Sequence, residues 1–157
     1  MPCKWCSSAI AGSSLSLTDK MKTLGVVLDS CLTFESHVSY VVQSCNYHVQ
    51  AIRHIRDLLD QSTAQKLACS LILSRLDYCN SLLYGAPIEV VLRLQRLQNN
   101  VARIVLKADQ RCDAGLLLRQ LHWLPVESRL RFKIALLTYK VRSTSTPSYL
   151  SSIITTK

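Results

Sequence analysis

The chain is predicted to be mainly α, a helical bundle of about five helices with a short N-terminal β-strand or hairpin. Three observations carry that expectation. Apolar residues recur at i, i+3, i+4 and i+7 through several long stretches, the period of a helix with one buried face. Only four glycines and four prolines occur in 157 residues, too few turn formers for a β-sandwich. Hydrophobic residues make up 48% of the chain but aromatics only 6%, so the core must be built from Leu, Ile and Val. The length fits one domain, enough to bury roughly 70% of the unfolded surface.

The elements follow in order. Residues 1–20 are Ser-rich and weakly patterned, and read as a weakly ordered N-terminal segment. The β-branched run "KTLGVVLDS" (22–30) reads as a strand, with "AIAGSSLSL" (9–17) as its hairpin partner. A first helix spans 34–59, with Val38, Val41, Val42, Cys45, Val49, Ile52 and Leu59 on one face, Thr33 as N-cap, and Arg53 and Arg56 suited to its C-terminal dipole. A second starts at Ser62, where Ser62 and Gln65 have capping-box spacing, and runs to about residue 83, with Gly85 as the stop. Pro87 suits the first turn of a third helix, 88–107. A short helix over 114–121, an elbow at "HWLPV" and a last long helix over 126–143 complete the domain, which is set at 21–143. Residues 144–157 form a polar C-terminal tail with a helical turn at Tyr149–Ile153.

Charge points toward a class of partner. Nineteen Lys and Arg against ten Asp and Glu give a net charge of +9, which makes a polyanion the first partner to consider. No apolar run approaches the ~18 residues of a membrane span, and the opening residues lack the apolar core of a secretory signal. The expectation is an intracellular protein of cytoplasm or nucleus with no membrane partner. Seven cysteines, an odd number, argue for free thiols. Cys3 and Cys6 have zinc-ligand spacing, yet a closed site needs four ligands and no second pair follows. No metal or other cofactor is expected.

The cations are arranged in rows. At 100° per residue, Arg93, Arg96, Asn100, Arg103 and Lys107 fall within about 80° of one another, beside a core face of Val90, Leu94, Leu97, Val101 and Val105. The row extends about 20 Å at the helical rise, a geometry that follows a phosphate backbone. On the last helix Arg129, Lys133 and Lys140 form a second row next to the core stripe Val126, Leu130, Ile134, Leu137 and Val141, with Phe132 and Tyr139 alongside. The bland alternative for either row is a solvated helix face.

Catalytic chemistry is not legible. The ten acids are scattered without an Asp-Asp pair, phosphate-binding glycine loops and a GxSxG elbow are absent, and no histidine has an i+4 histidine partner. The stretch "SRLDYCNSLLYGAP" (74–87) nevertheless places Arg75, Asp77, Tyr78, Asn80 and Tyr84 among leucines. Asp77, near a helix C-terminus, faces the negative end of the dipole and needs a partner. These residues are expected to form a structural polar knot: Arg75, Arg103 or backbone amides pair with Asp77, Asn80 braces the turn, and Tyr78 and Tyr84 bury their rings and expose their hydroxyls.

Five motifs in order, "KTLGVVLDSCLTFESHV" (22–38), "SRLDYCNSLLYGAP" (74–87), "LQRLQNNVARIV" (94–105), "LHWLPVESRLRFKIALLTYK" (121–140) and "PSYL" (147–150), carry a resemblance. Together they resemble the C-terminal part of a non-LTR (LINE-type) retrotransposon reverse transcriptase. The resemblance implies a thumb-like region that follows the catalytic palm and grips a template–primer duplex. The palm carboxylates would lie before residue 1, so the expected function is a non-catalytic, nucleic-acid-gripping fragment of an RNA-directed DNA polymerase. Its partners would be an RNA–DNA hybrid or duplex and the missing palm. Arg93, Arg96, Arg103, Lys107, Arg129, Lys133 and Lys140 are the expected phosphate contacts, with Lys22 on the primer-grip strand a weaker one. The alternatives are a helical protein-interaction or self-associating module, and a non-functional retroelement remnant.

Overall fold

The computed structural model describes residues 19–154 together with the short strands β1 (Ala9–Ile10) and β2 (Ser13–Ser14), which pair with each other. Most of the segment 1–20, including Cys3 and Cys6, lies outside the described residues. The run expected as one strand over 22–30 folds back on itself. β3 (Lys20–Thr23) and β4 (Val26–Asp29) form an antiparallel hairpin, Lys20 opposite Asp29 and Thr23 opposite Val26. Its two-residue turn holds Leu24 and Gly25 at φ 48° and 81°, the backbone twist a tight hairpin requires. The described partner of β4 is β3 in place of the expected stretch 9–17, of which only the mutually paired β1 and β2 are among the described residues.

β4 delivers the start of the first helix. The Asp29 carboxylate accepts from Thr33 N at 2.8 Å, Thr33 Oγ1 at 3.0 Å and Phe34 N at 3.0 Å. The last two residues of a strand–helix connection are thereby clamped by a side chain from the strand. The expected cap, Thr33, has a lesser part, accepting from Glu35 N at 3.4 Å. α1 (Glu35–Ile55) then buries Val38, Cys45, Val49 and Ile52, the predicted face. Leu59 falls beyond it, after a turn of 3-10 helix at Arg56–Leu58.

α2 (Gln61–Ala68) is capped two residues earlier than the capping-box spacing suggested: Asp60 accepts from Thr63 N at 3.1 Å. Gln65 instead donates to the Leu121 carbonyl at 3.2 Å, tying α2 to the elbow before the last long helix. The helix widens through a π-turn at Cys69–Leu73 and continues as α3 (Ser74–Asp77). It does not reach residue 83. Tyr78 is extended and Cys79 sits at φ 51°, followed by 3-10 helix over Asn80–Leu83.

α4 (Ile88–Leu106) is the central helix. Val90, Leu94, Leu97, Val101 and Val105 are all buried, as their spacing predicts. Arg56 joins it to α1: at 8% exposure, its guanidinium donates to the carbonyls of Ile104, Val105 and Leu59. Cationic donors on the last carbonyls of a helix satisfy groups that have no intrahelical partner and meet the negative end of its dipole.

α5 (Ala114–Gln120), capped by Asp113 on Gly115 N, packs against α4. α6 (Val126–Thr144) starts under the amide of Gln95, whose Oε1 accepts from Val126 N at 2.8 Å; the fully buried Gln98 donates to the Leu124 carbonyl at 2.9 Å. The predicted core stripe of α6 is only partly covered: Val126, Leu130 and Val141 are buried, Ile134 is half-buried and Leu137 is 38% exposed. α7 (Ser148–Ile153), the predicted helical turn, packs on the end of α6. The architecture is mainly α with a short N-terminal hairpin. No helix among the described residues is long and apolar enough to cross a membrane.

Candidate nucleic-acid interface

α1 and α4 run in parallel. Arg93 donates to Ser39 Oγ at 3.0 Å, Arg53 to Asn100 Oδ1 at 3.2 Å, and Lys107 pairs with Asp57 at 2.6 Å. These three links follow the same order along both segments and seat a row of α1 against the predicted row of α4. On α1 that row is Ser39, Gln43, Asn46, Gln50 and Arg53, spaced i, i+4, i+7, i+11 and i+14, which keeps one side of a helix. All five are exposed, and Tyr47 stands exposed at their edge. Opposite them lie Arg93, exposed Arg96, Asn100 and Arg103.

No acid occurs between residues 36 and 56 or between 90 and 108, whereas six Lys and Arg do. The face is thus acid-free along its middle, with Glu35 and Glu89 at its N-terminal end and Asp57 at the other. The α1 half was not singled out by sequence reasoning, although its spacing and its lack of acids are both visible there.

The members of the α4 row differ in how they are held. Arg96 makes no hydrogen bond or ion pair among the described residues. Arg93 is held only by a neutral hydroxyl, and Arg103 donates to the Cys112 carbonyl at 3.3 Å while its Nε is buried without a partner. Lys107 is the exception. It terminates α4 at φ 51° and its ion pair holds the Asp57 carboxyl below the usual carboxylate range, chiefly through their hydrogen bond.

The second predicted row does not join this face. Gln95 and Gln98 of α4 point at the start of α6, roughly 180° around the helix from Arg93 and Asn100. α6 therefore occupies the opposite flank, and the two rows do not line one groove. Arg129 is moreover not a free phosphate contact: it forms a 2.6 Å ion pair with Asp77 and donates from Nε to the Leu124 carbonyl at 2.9 Å. Lys133 and Phe132 line a pocket of about 330 Å³ together with that pair, and Lys140 is exposed further along.

The polar knot exists with other members. The partner of Asp77 is Arg129, in place of Arg75 or Arg103, and Asn80 approaches Asp77 only at 3.4 Å, its Oδ1 buried without a partner. Arg75 donates to Ser44 on α1. Tyr78 reverses the expectation: its ring is exposed (53% for the residue) and its hydroxyl is occupied, donating to the Leu24 carbonyl at 2.8 Å. The Tyr84 ring is exposed as well. Lys22 donates to the Tyr40 hydroxyl at 3.2 Å with its ammonium 4.4 Å from that ring's centroid.

No trio of His, Cys, Asp or Glu among the described residues is placed to hold a metal ion. Comparisons with protein-family models, with curated proteins and with solved structures find no match.

Proposed function

We propose that the chain is a non-catalytic nucleic-acid-binding domain whose α1–α4 face tracks a phosphate backbone. The observation that supports this most is the acid-free face itself, where Arg53, Arg93, Arg96 and Arg103 make only neutral hydrogen bonds or none. Exposed amides at Gln43, Asn46 and Gln50 supply neutral donors and acceptors, and Tyr47 supplies a stacking ring. The reading agrees with the family resemblance of the five motifs, in which this part of the chain would grip an RNA–DNA hybrid beside a palm. It departs in assigning the grip to α1 and α4 and leaving Arg129 to the fold.

The test is binding of a labelled RNA–DNA hybrid by fluorescence anisotropy at two salt concentrations. Four phosphate contacts give a slope near −3.6 in log–log form, so affinity falls about 100-fold between 50 and 200 mM salt. Reversing Arg96 and Arg103 to Glu flattens that slope; a slope unchanged by the reversal refutes the face. A second reading is favoured by one observation. Leu137 lies on the core stripe of α6 yet is exposed, next to half-buried Ile134 on the same stripe, and such an uncovered stretch suits a second copy of the chain. Salt-independent dimerisation in sedimentation, lost in Leu137→Lys, supports that reading.

A further inference from the structure

A cavity of about 480 Å³ opens between the β3–β4 hairpin, α1 and α3. Its size falls within the range of small-ligand sites, ~300–1,000 Å³. Lys22, His37, Tyr40, Ser44, Arg75 and Tyr78 supply its chemistry, and no carboxylate lines it. Neither Lys22 nor Arg75 has an ion-pair partner among the described residues; each is held by a neutral hydroxyl, Tyr40 and Ser44 respectively.

Lys22, Arg75 and His37 present donors, and Ser44 Oγ, which accepts from Arg75, keeps its own hydrogen, whereas the Ser74 and Tyr78 hydroxyls donate to the carbonyls of Ser70 and Leu24. His37 Nδ1 accepts from Val27 N at 3.4 Å, so the neutral ring carries its proton on Nε2. The rings of Tyr40 and Tyr78 flank the opening, both exposed, and Val41 adds an apolar surface. The walls are fastened to one another. Tyr78 Oη donates to the Leu24 carbonyl at 2.8 Å, and Gly25, at φ 81°, lies where an added Cβ would meet the Tyr78 ring at 3.5 Å.

We infer that this cavity binds a phosphate monoester carried on a flat ring, a nucleoside monophosphate by class, free or at the end of a strand. Lys22 and Arg75 meet the phosphate as two unneutralised cations, with His37 Nε2–H and the Ser44 hydroxyl as further donors. Tyr40 and Tyr78 meet the ring by stacking. The site is separate from the α1–α4 face. Tyr40 and Ser44 lie roughly 120° around α1 from the row Ser39 to Arg53, so its test stands apart from that reading.

The experiment titrates the full chain with adenosine 5′-monophosphate, following heat and the His37 ring proton resonances by NMR. Adenosine, inorganic phosphate, and an octanucleotide with and without a 5′-phosphate are the comparison probes. The expected result is saturable binding of the monophosphate at least ten-fold tighter than adenosine or phosphate alone. Lys22→Gln and Arg75→Gln should each weaken it about ten-fold, and the Arg96→Glu, Arg103→Glu pair should leave it unchanged. Preference for the phosphorylated octanucleotide over the free monophosphate supports the same chemistry and assigns it to a strand end. Absence of binding at millimolar monophosphate overturns the proposal, as does binding that both glutamine variants leave intact. Should the variants unfold, an unshifted His37 resonance in the unmodified chain overturns it equally.

Discussion

Arg56 is predicted to contribute more to stability than any other single charged side chain of the fold. Its guanidinium donates to Val105 O at 2.6 Å, Leu59 O at 2.7 Å and, through Nε, to Ile104 O at 3.1 Å and Val105 O at 3.2 Å. Arg56→Met keeps the length of the aliphatic stem and removes every donor, so the measurement isolates the head group. A hydrogen bond from a charged donor is worth roughly 1.5–3 kcal/mol. Two bonds at full value and a bifurcated third suggest a loss of about 4 kcal/mol before relaxation. The relief of desolvating the cation offsets part of it, since whole buried ion pairs are often replaceable at little cost. Here only one side is replaced: the Val105 carbonyl at the buried end of α4 and Leu59 O lose the guanidinium, while Ile104 O keeps the Lys107 N–H at 3.2 Å. We expect a net loss of about 2–3 kcal/mol, a large share of the ~5–15 kcal/mol of a domain. Urea denaturation followed by far-ultraviolet circular dichroism reads it, with Tm lower by roughly 5–10 °C. A change below about 0.5 kcal/mol refutes the reasoning, because the guanidinium would then be only a stem with a solvated tip.

Three further predictions follow from the same geometry. Burial raises the Asp29 carboxyl, but the bonds from Thr33 and Phe34 together outweigh it and hold it below the usual carboxylate value; its stabilisation is therefore present above the unfolded pKa, ~3.9, and lost as pH falls through the folded value. Asp29→Asn should make the unfolding free energy fall less steeply below about pH 4, and an identical pH profile contradicts the clamp. In the corner pair, the Arg129 side chain is 16% exposed and Asp77 45%, so Arg129→Ala should cost about 2 kcal/mol and Asp77→Ala about 1 kcal/mol in thermal melts; the reverse order would show that the carboxylate, and not the arginine, holds the turn. Burial pushes the Cys45 thiol up to about 11, so iodoacetamide at neutral pH should modify exposed Cys31 and Cys112 well before Cys45, with peptide mass spectrometry as the readout.

The helices and their buried faces were legible because their cause is periodic. Val90, Leu94, Leu97, Val101 and Val105 repeat at the helical spacing, and nothing in the surroundings competes with that pattern. Chain reversals were less legible because this chain places non-glycine residues where glycine usually signals them. Leu24, Cys79, Lys107, His122 and Ser145 all lie at positive φ, a conformation that costs an L-residue on the order of 1–2 kcal/mol. Leu24 thus masked half of the hairpin turn, although its neighbour Gly25 was a turn signal inside the apparent strand, and Cys79 hid the break after Asp77. Caps were missed for a related reason: Asp29 and Asp60 act from outside the expected windows, while Thr33 and Ser62 have the right residue type without the decisive geometry. Of the site, the α4 row was legible and its neighbour on α1 was not, since pairing two helices is a tertiary fact that neither sequence states.

Partners sort the cations more sharply than position does. Arg56 and Arg129 face carbonyls and a carboxylate in partly or wholly buried settings, and Lys107 is matched by Asp57. Each of those charges has a task within the fold, so removing it should show in stability first. Arg53, Arg93, Arg96 and Arg103 form no ion pair among the described residues, and the neutral contacts they make use only part of their donor capacity. Four like charges along one acid-free face repel one another, an arrangement that is unfavourable for the isolated fold at low salt. On the proposed reading, that repulsion is relieved when a polyanion meets the face. Reversing Arg96 alone should consequently leave the melting temperature unchanged or raise it while weakening binding to a polyanion. If the same reversal lowers both together, the arginine belongs to the fold and the interface must be sought elsewhere.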